Sequence, residues 1–144
     1  MTRSNHTGRH VDGYNLVLET AFDGTTVTVV RRQVQIAAHR CHMDGERLDG
    51  FLIAVNEAMT NAVRHGGGSG QLLLWRDGVL LCQVVDRGPG FDPAPYLPPN
   101  KRPQASSAGG MGLWLAREMA DDLRIHSDAA GTTISISGAI GAGA

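Results

Sequence analysis

The sequence has little that would tie it to export, a membrane or a nucleic acid. Its two cysteines, Cys41 and Cys82, stand in separate apolar patterns with no CxxC spacing. A disulfide framework or zinc site is therefore not expected, and both thiols are read as reduced. No apolar run approaches the roughly 20 residues that a membrane-spanning helix needs. The opening MTRSNHTGRHVDG also lacks the apolar centre of a signal peptide. These absences lead to the expectation of a cytoplasmic protein with no membrane contact. The net charge is only -1 and the isoelectric point near 6.6, so no broad basic footprint for DNA, RNA or anionic lipid is available. What is present is 144 residues, 42% of them hydrophobic and 19% charged, the size and balance of one ordinary globular domain with a true core.

Periodicity divides that domain. Residues 1–13 are polar and the terminal GAIGAGA (138–144) is small and flexible in composition, so tails are expected at 1–13 and 139–144 around a domain at 14–138. YNLVLETA (14–21) alternates as a strand does, and Asp23 with Gly24 punctuates a turn. From about Val27 to His42, the residues Val30, Val34, Ala37, Ala38 and Cys41 recur at helical spacing. Asp44 is the expected N-cap of a second helix, with Leu48, Leu52, Val55, Met59 and Val63 as its buried stripe and Gly66, Gly67 and Gly68 at its end.

QLLLWRDG and VLLCQVVD then read as a hairpin turning at Asp77 and Gly78. Residues 87–108 hold all six prolines and no periodicity, and loops of that length inside a compact domain are functional or disordered. GGMGLWLAREMADDL starts on glycines and continues as an amphipathic helix through Leu113, Ala116 and Met119; LRIHSD and TTISISG follow as strands. This order predicts an α+β fold, a two-layer sandwich of a mixed, mostly antiparallel sheet covered by helices on one face.

Four short motifs carry the chemistry, and each also has a plain structural explanation. In the helix, Glu57 and Asn61 lie four residues apart and so share a face. The Asn amide oxygen suits a hard cation such as magnesium, and a carboxylate one turn away can take a proton from a hydroxyl or water. A solvated helix charge and a polar residue near a helix end would look the same. Asp86-Arg87-Gly88-Pro89-Gly90 follows the apolar strand VLLCQVV. A carboxylate there can accept a hydrogen bond from an exocyclic amine, with glycines letting backbone approach a flat ring, or the stretch is simply a turn. Gly109-Gly110-Met111-Gly112-Leu113 opens a helix, whose unhindered N–H groups make an anion site unless the glycines are only a hinge. Gly131-Thr132-Thr133 falls in the last hairpin and taken alone is a turn with β-formers.

Order and context bind the four together. ExxxN on a helix, DxGxG at a strand end, a proline-rich loop, a GGMGL helix start and a terminal GTT resemble the nucleotide-binding boxes of the GHKL ATPase superfamily, the Bergerat fold, over residues 14–138. The resemblance implies ATP and Mg2+ as cofactors, Glu57 as catalytic base and Asn61 as magnesium ligand. It also implies that Asp86 reads the adenine amino group, that Gly88 and Gly90 line the base pocket, and that Gly110, Met111, Gly112 and Leu113 form the phosphate-binding start of the helix. Thr132 or Thr133 would support Asp86 or a water beside the base. Arg64 would reach a phosphate, with Lys101 and Arg102 as weaker candidates in an ATP lid at about 91–109, whose PAPYLPP segment stiffens its first half.

Within the superfamily Glu57 discriminates. Sensor histidine kinases resemble this pattern but usually carry Asn there, and they add a helix pair with an acceptor histidine, whereas His39 and His42 here fall on the domain's own first helix. The gyrase, chaperone and mismatch-repair ATPases have the Glu but need a transducer domain for which 144 residues leave no room. NEAMTNAVRHG and GGMGLWLAREMADDL look especially like anti-sigma-factor serine/threonine protein kinases. That branch implies a homodimer that sequesters a sigma factor and phosphorylates a serine of an anti-anti-sigma partner with Mg-ATP. The alternative is an ATP-binding regulatory module that sequesters a partner without kinase activity.

Overall fold

A computed structural model describes residues 13–92 and 110–141, with Gly110 and Met111 described as backbone only. The elements run β1 (Asn15–Asp23), α1 (Val27–Arg40), α2 (Gly45–His65), β2 (Ser69–Arg76), β3 (Val79–Asp86), α3 (Gly110–Met119), β4 (Asp122–Asp128) and β5 (Gly131–Ala139). The sequence expectation of strand, two helices, hairpin, helix and hairpin is met element by element. Residues 1–12 and 142–144 of the expected tails, Gly109, Lys101, Arg102 and the expected lid beyond Asp92 lie outside the described residues, whereas Ala139 closes β5 and Ile140 packs on the core.

One five-stranded sheet has the order β1-β2-β3-β5-β4, and each described pairing is antiparallel where a mixed sheet was expected. Short loops explain much of this. At the β2–β3 hairpin Gly78 has φ +72°, which a side chain would resist, and Asp77 N–H bonds the Val79 carbonyl at 2.9 Å.

Strand alternation divides the sheet into two faces. Leu72, Leu74, Leu80, Cys82, Val84, Ile134 and Ile136 point toward the helices and form one buried cluster with them. Helix α1 packs over β1, α2 crosses β2, β3 and β5, and α3 lies over β4. The stripe of α2 is rotated slightly from the sequence reading: Phe51, Ala54, Ala58 and Ala62 join Leu48, Val55 and Met59 as buried, while Leu52 and Val63 pack at the margin. Its small residues let neighbours approach, and a β-carbon on Gly50 would stand 2.6 Å from the Met119 carbonyl oxygen of α3. Asp44 is the N-cap residue as expected, although its side chain makes no capping bond. The outer face carries Leu73 and Trp75, with the Trp75 indole N–H donating to Gln83 Oε1 at 2.8 Å.

This architecture gathers four chain segments at one end of the molecule. The last turns of α2, the end of β3, the first turn of α3 and the start of β5 meet there, although Glu57 and Thr132 are far apart in sequence.

Candidate functional site

Helical spacing on α2 brings Glu57, Asn61 and Arg64 to one side, and they line a pocket with Thr60, His65, Gly112 and Leu113. The pocket is narrow, about 10 Å³, enough for roughly one water. Its roof is the first turn of α3. Gly112 lies so close to Glu57 that a β-carbon at 112 would collide with carboxylate Oε1. Two of the sequence motifs, separated by the whole hairpin and loop, are therefore in direct contact. Leu113 is buried beside them and anchors that turn in the core. Among the described residues, the α3 turn leaves only a narrow space beside Glu57.

Asp86 ends β3 and is buried, with 6% of its surface exposed. Its Oδ1 accepts the Gly88 N–H at 2.9 Å. Burial raises its pKa above the ordinary carboxylate value, and bonds from the backbone N–H groups of Gly88 and Thr132 offset part of that rise. A buried carboxylate with a remaining acceptor oxygen suits recognition of a neutral amine donor. The wall around it is built by close backbone approach. A β-carbon on Gly66 would overlap the Asp86 carboxylate, and one on Gly88 would come within 2.5 Å of Gly66 Cα. Gly90, at φ +81°, packs on the Asp128 carbonyl. Gly88 and Gly90, expected to admit a ring, thus already press against protein backbone, Gly88 on Gly66 at the C-cap of α2 and Gly90 on Asp128 of β4.

Register separates the two threonines. Thr132 pairs with Asp86 and Thr133 with Val85, so successive side chains face opposite sides. Thr132 is 3% exposed on the Asp86 side. Thr133 lies on the outer face, away from Asp86, and is not brought into the site.

Arg64 is exposed at the pocket rim, where a guanidinium can meet an anion. Gly110 and Met111 belong to the first turn of α3, which borders the same pocket through Gly112 and Leu113. Thr60, His65 and Gly66 also border the site, as does Ser127 through Thr132, and the sequence reading missed all four. Position in the run RHGGG was the available signal for Gly66. A second depression of about 400 Å³ takes in Gly66, Gln71, Asp86 and Arg87 but not Glu57 or Asn61.

The side-chain oxygens lining the pocket are the Asn61 amide, the Glu57 carboxylate and the Thr60 hydroxyl, and the described residues contain no group of three or more His, Cys, Asp or Glu able to hold a metal. That sparse set fits magnesium, which keeps several waters and takes one or two protein oxygens beside substrate phosphates. It does not fit a dedicated protein cage.

The arrangement of an ExxxN helix over an antiparallel sheet, with a buried aspartate at a strand end, defines a class of nucleotide-binding domain. The family profile of the histidine kinase-like ATPase domain matches residues 20–137, and the chain belongs to this family. Among its relatives, a serine-protein kinase RsbW of Bacillus velezensis is 32% identical over 124 residues, covering 76% of each chain. Solved structures agree on the fold. The RsbU and RsbW domains of a Mycobacterium tuberculosis protein superpose with TM-score 0.63 at 21% identity over 85% of this chain, which spans about a third (31%) of that one. The mycobacterial sensor histidine kinase MprB gives TM-score 0.54 at 19% identity, covering 85% of this chain and 97% of its own.

Proposed function

We propose that this protein binds Mg-ATP at the cleft between α2, β3 and α3 and acts as an anti-sigma factor and serine/threonine protein kinase. In this reading it sequesters a sigma factor, phosphorylates a serine of an anti-anti-sigma partner and works as a cytoplasmic homodimer. The observation that carries the proposal is the meeting of Glu57, Asn61, Arg64 and Gly112 on one pocket, in a chain whose relatives include serine-protein kinases RsbW.

The chemistry follows from the residues. Asp86, held by Gly88 and Thr132, accepts a hydrogen bond from the adenine amino group. Backbone N–H groups at the start of α3, from Gly110 to Leu113, with Arg64, receive the phosphates. Asn61 supplies the protein oxygen for magnesium, which neutralises phosphate charge when bound. Glu57 accepts the proton of the attacking serine hydroxyl as its oxygen bonds to the γ-phosphorus and the bond to the β-phosphate oxygen breaks.

A geometric feature supports a protein substrate. Glu57 lines the inner pocket with Asn61 and also borders an outer depression of about 420 Å³ with Arg31, Gln35, Asp49, Ile53 and Asn56. A hydroxyl can reach the carboxylate from the α1–α2 side while phosphates lie on the other. The experiment is calorimetric titration of Mg-ATP into wild type, Asp86→Asn and Asn61→Ala proteins, followed by phosphoserine detection on partners recovered by pulldown. Weakened binding in both variants and a phosphoserine product are expected. Tight ATP binding with no phosphorylated partner would instead favour a regulatory module that sequesters without kinase activity. Absence of binding would refute both.

A further inference from the structure

Ser127 occupies an unexpected place in β4. The exposed residues Arg124, His126 and Asp128 alternate with Leu123, Ile125 and Ser127, so a hydroxyl stands at the third inward position after two apolar side chains. It is not a solvated polar group. Ser127 Oγ accepts the Phe91 N–H at 2.8 Å and lies 2.7 Å from Thr132 Oγ1. A β-carbon at Gly90 would be 3.0 Å from the same oxygen.

These contacts span three strands. Ser127 pairs with Thr132 across β4 and β5, and Thr132 pairs with Asp86 across β5 and β3. Strands β3 and β4 are not neighbours, so Thr132 is the bridge between them. Its hydroxyl is held by Ser127 and its backbone N–H holds the Asp86 carboxylate. The turn that leaves Asp86 returns to the same serine through Gly90 and Phe91. One hydroxyl therefore closes a ring of contacts around the aspartate without touching it.

We infer that Ser127 is a positioning residue for base recognition: it fixes Thr132 and the Gly90–Phe91 turn so that Asp86 is aimed at the 6-amino group of a purine. The inference rests on the ATP-binding reading above. A small polar network in a partly buried setting is sensitive to loss of one member, because the remaining donors lose their partner. Discrimination between bases depends on the direction of Asp86, whereas the overall grip on a triphosphate does not.

The test compares Kd for Mg-ATP and Mg-ITP, the latter carrying a 6-oxo group, by calorimetry in wild type, Ser127→Ala and Ser127→Thr proteins. Ser127→Ala is expected to narrow the ATP-over-ITP preference about fivefold. Ser127→Thr, which keeps the hydroxyl, should restore it. A merely structural role would lower Tm and leave the ratio unchanged. Should Ser127→Ala fail to fold, Ser127→Cys takes its place, since a thiol keeps the volume but bonds weakly, and it too should narrow the ratio. If the wild type does not prefer ATP to ITP, the reading of Asp86 falls and this inference with it. If the wild type does prefer ATP and the Ala or Cys variant keeps the full ratio, only the role of Ser127 is overturned.

Discussion

Replacing Gly66 by alanine tests the close contact on which the proposed base pocket is built. Gly66 caps α2 at φ -110° and ψ 26°, a conformation open to alanine. Backbone entropy alone would therefore make Gly66→Ala stabilising by about 0.4–1 kcal/mol. The contact predicts the opposite sign. The new methyl would overlap Asp86 Cγ and Oδ2 and come within 2.8 Å of its β-carbon. The carboxylate cannot simply swing aside, because Gly88 N–H holds it at 2.9 Å and Thr132 N–H holds it too. Either α2 shifts its last turn or Asp86 leaves its donors, and overpacking of this kind costs about 1–3 kcal/mol. For a chain of this length a net loss near 2 kcal/mol lowers Tm by about 4–8 °C. Gly24→Ala is the control, since its β-carbon would find only Val63 Cγ1 at an ordinary 3.4 Å. Differential scanning calorimetry reads both variants. A Gly66→Ala protein as stable as wild type, or more so, would refute the argument.

Further outcomes follow from the same geometry. Glu57→Ala should lower the rate of serine phosphorylation about 10²–10⁴-fold while ATP still binds, measured by phosphate transfer beside calorimetry; retained transfer would remove Glu57 as the base. The raised pKa of Asp86 means that, between the ordinary Asp value and the raised one, the folded protein holds more of this proton than the unfolded chain does. Its contribution therefore makes stability fall as pH rises from the ordinary Asp value toward the raised one, and urea titrations of Asp86→Asn should lack that component. Because the adenine amine needs the ionised form, ATP affinity in wild type should weaken as pH falls through the same window and stay flat in Asp86→Asn. Burial pushes the Cys82 thiol far above its usual range, so in a Cys41→Ser protein a thiol reagent at pH 8 should label only after denaturant is added. Fast labelling of the native protein would show that the sheet centre opens.

Much of this protein is legible along the chain because its cues are local. Period-two and period-3.6 patterns mark the strands and helices, and glycines mark their ends, since each follows from backbone geometry over a few residues. Glu57 and Asn61 could be paired from sequence because an α-helix sets the direction of residues four apart. Asp86 could be singled out only through the order of the four motifs together, since DxGxG after the apolar strand VLLCQVV reads by itself equally well as a turn.

Choices that depend on which segments meet belong to the tertiary structure. Thr132 and Thr133 are equivalent by sequence, and only pairing with Asp86 and Val85 assigns them to opposite faces. Gly112 reads as a phosphate donor, yet its first neighbour is Glu57, brought there by α3 folding back over α2. Gly66 is one of three consecutive glycines until α2 lands against Asp86. Ser127 carries no motif at all and gains its place from strand order, which sets β5 between it and the aspartate. Local sequence determined the elements and the groups able to do chemistry, because dihedral preference and side-chain spacing act over one or two turns. The site itself required long-range packing, since burial of one apolar face against another decides which distant residues become neighbours.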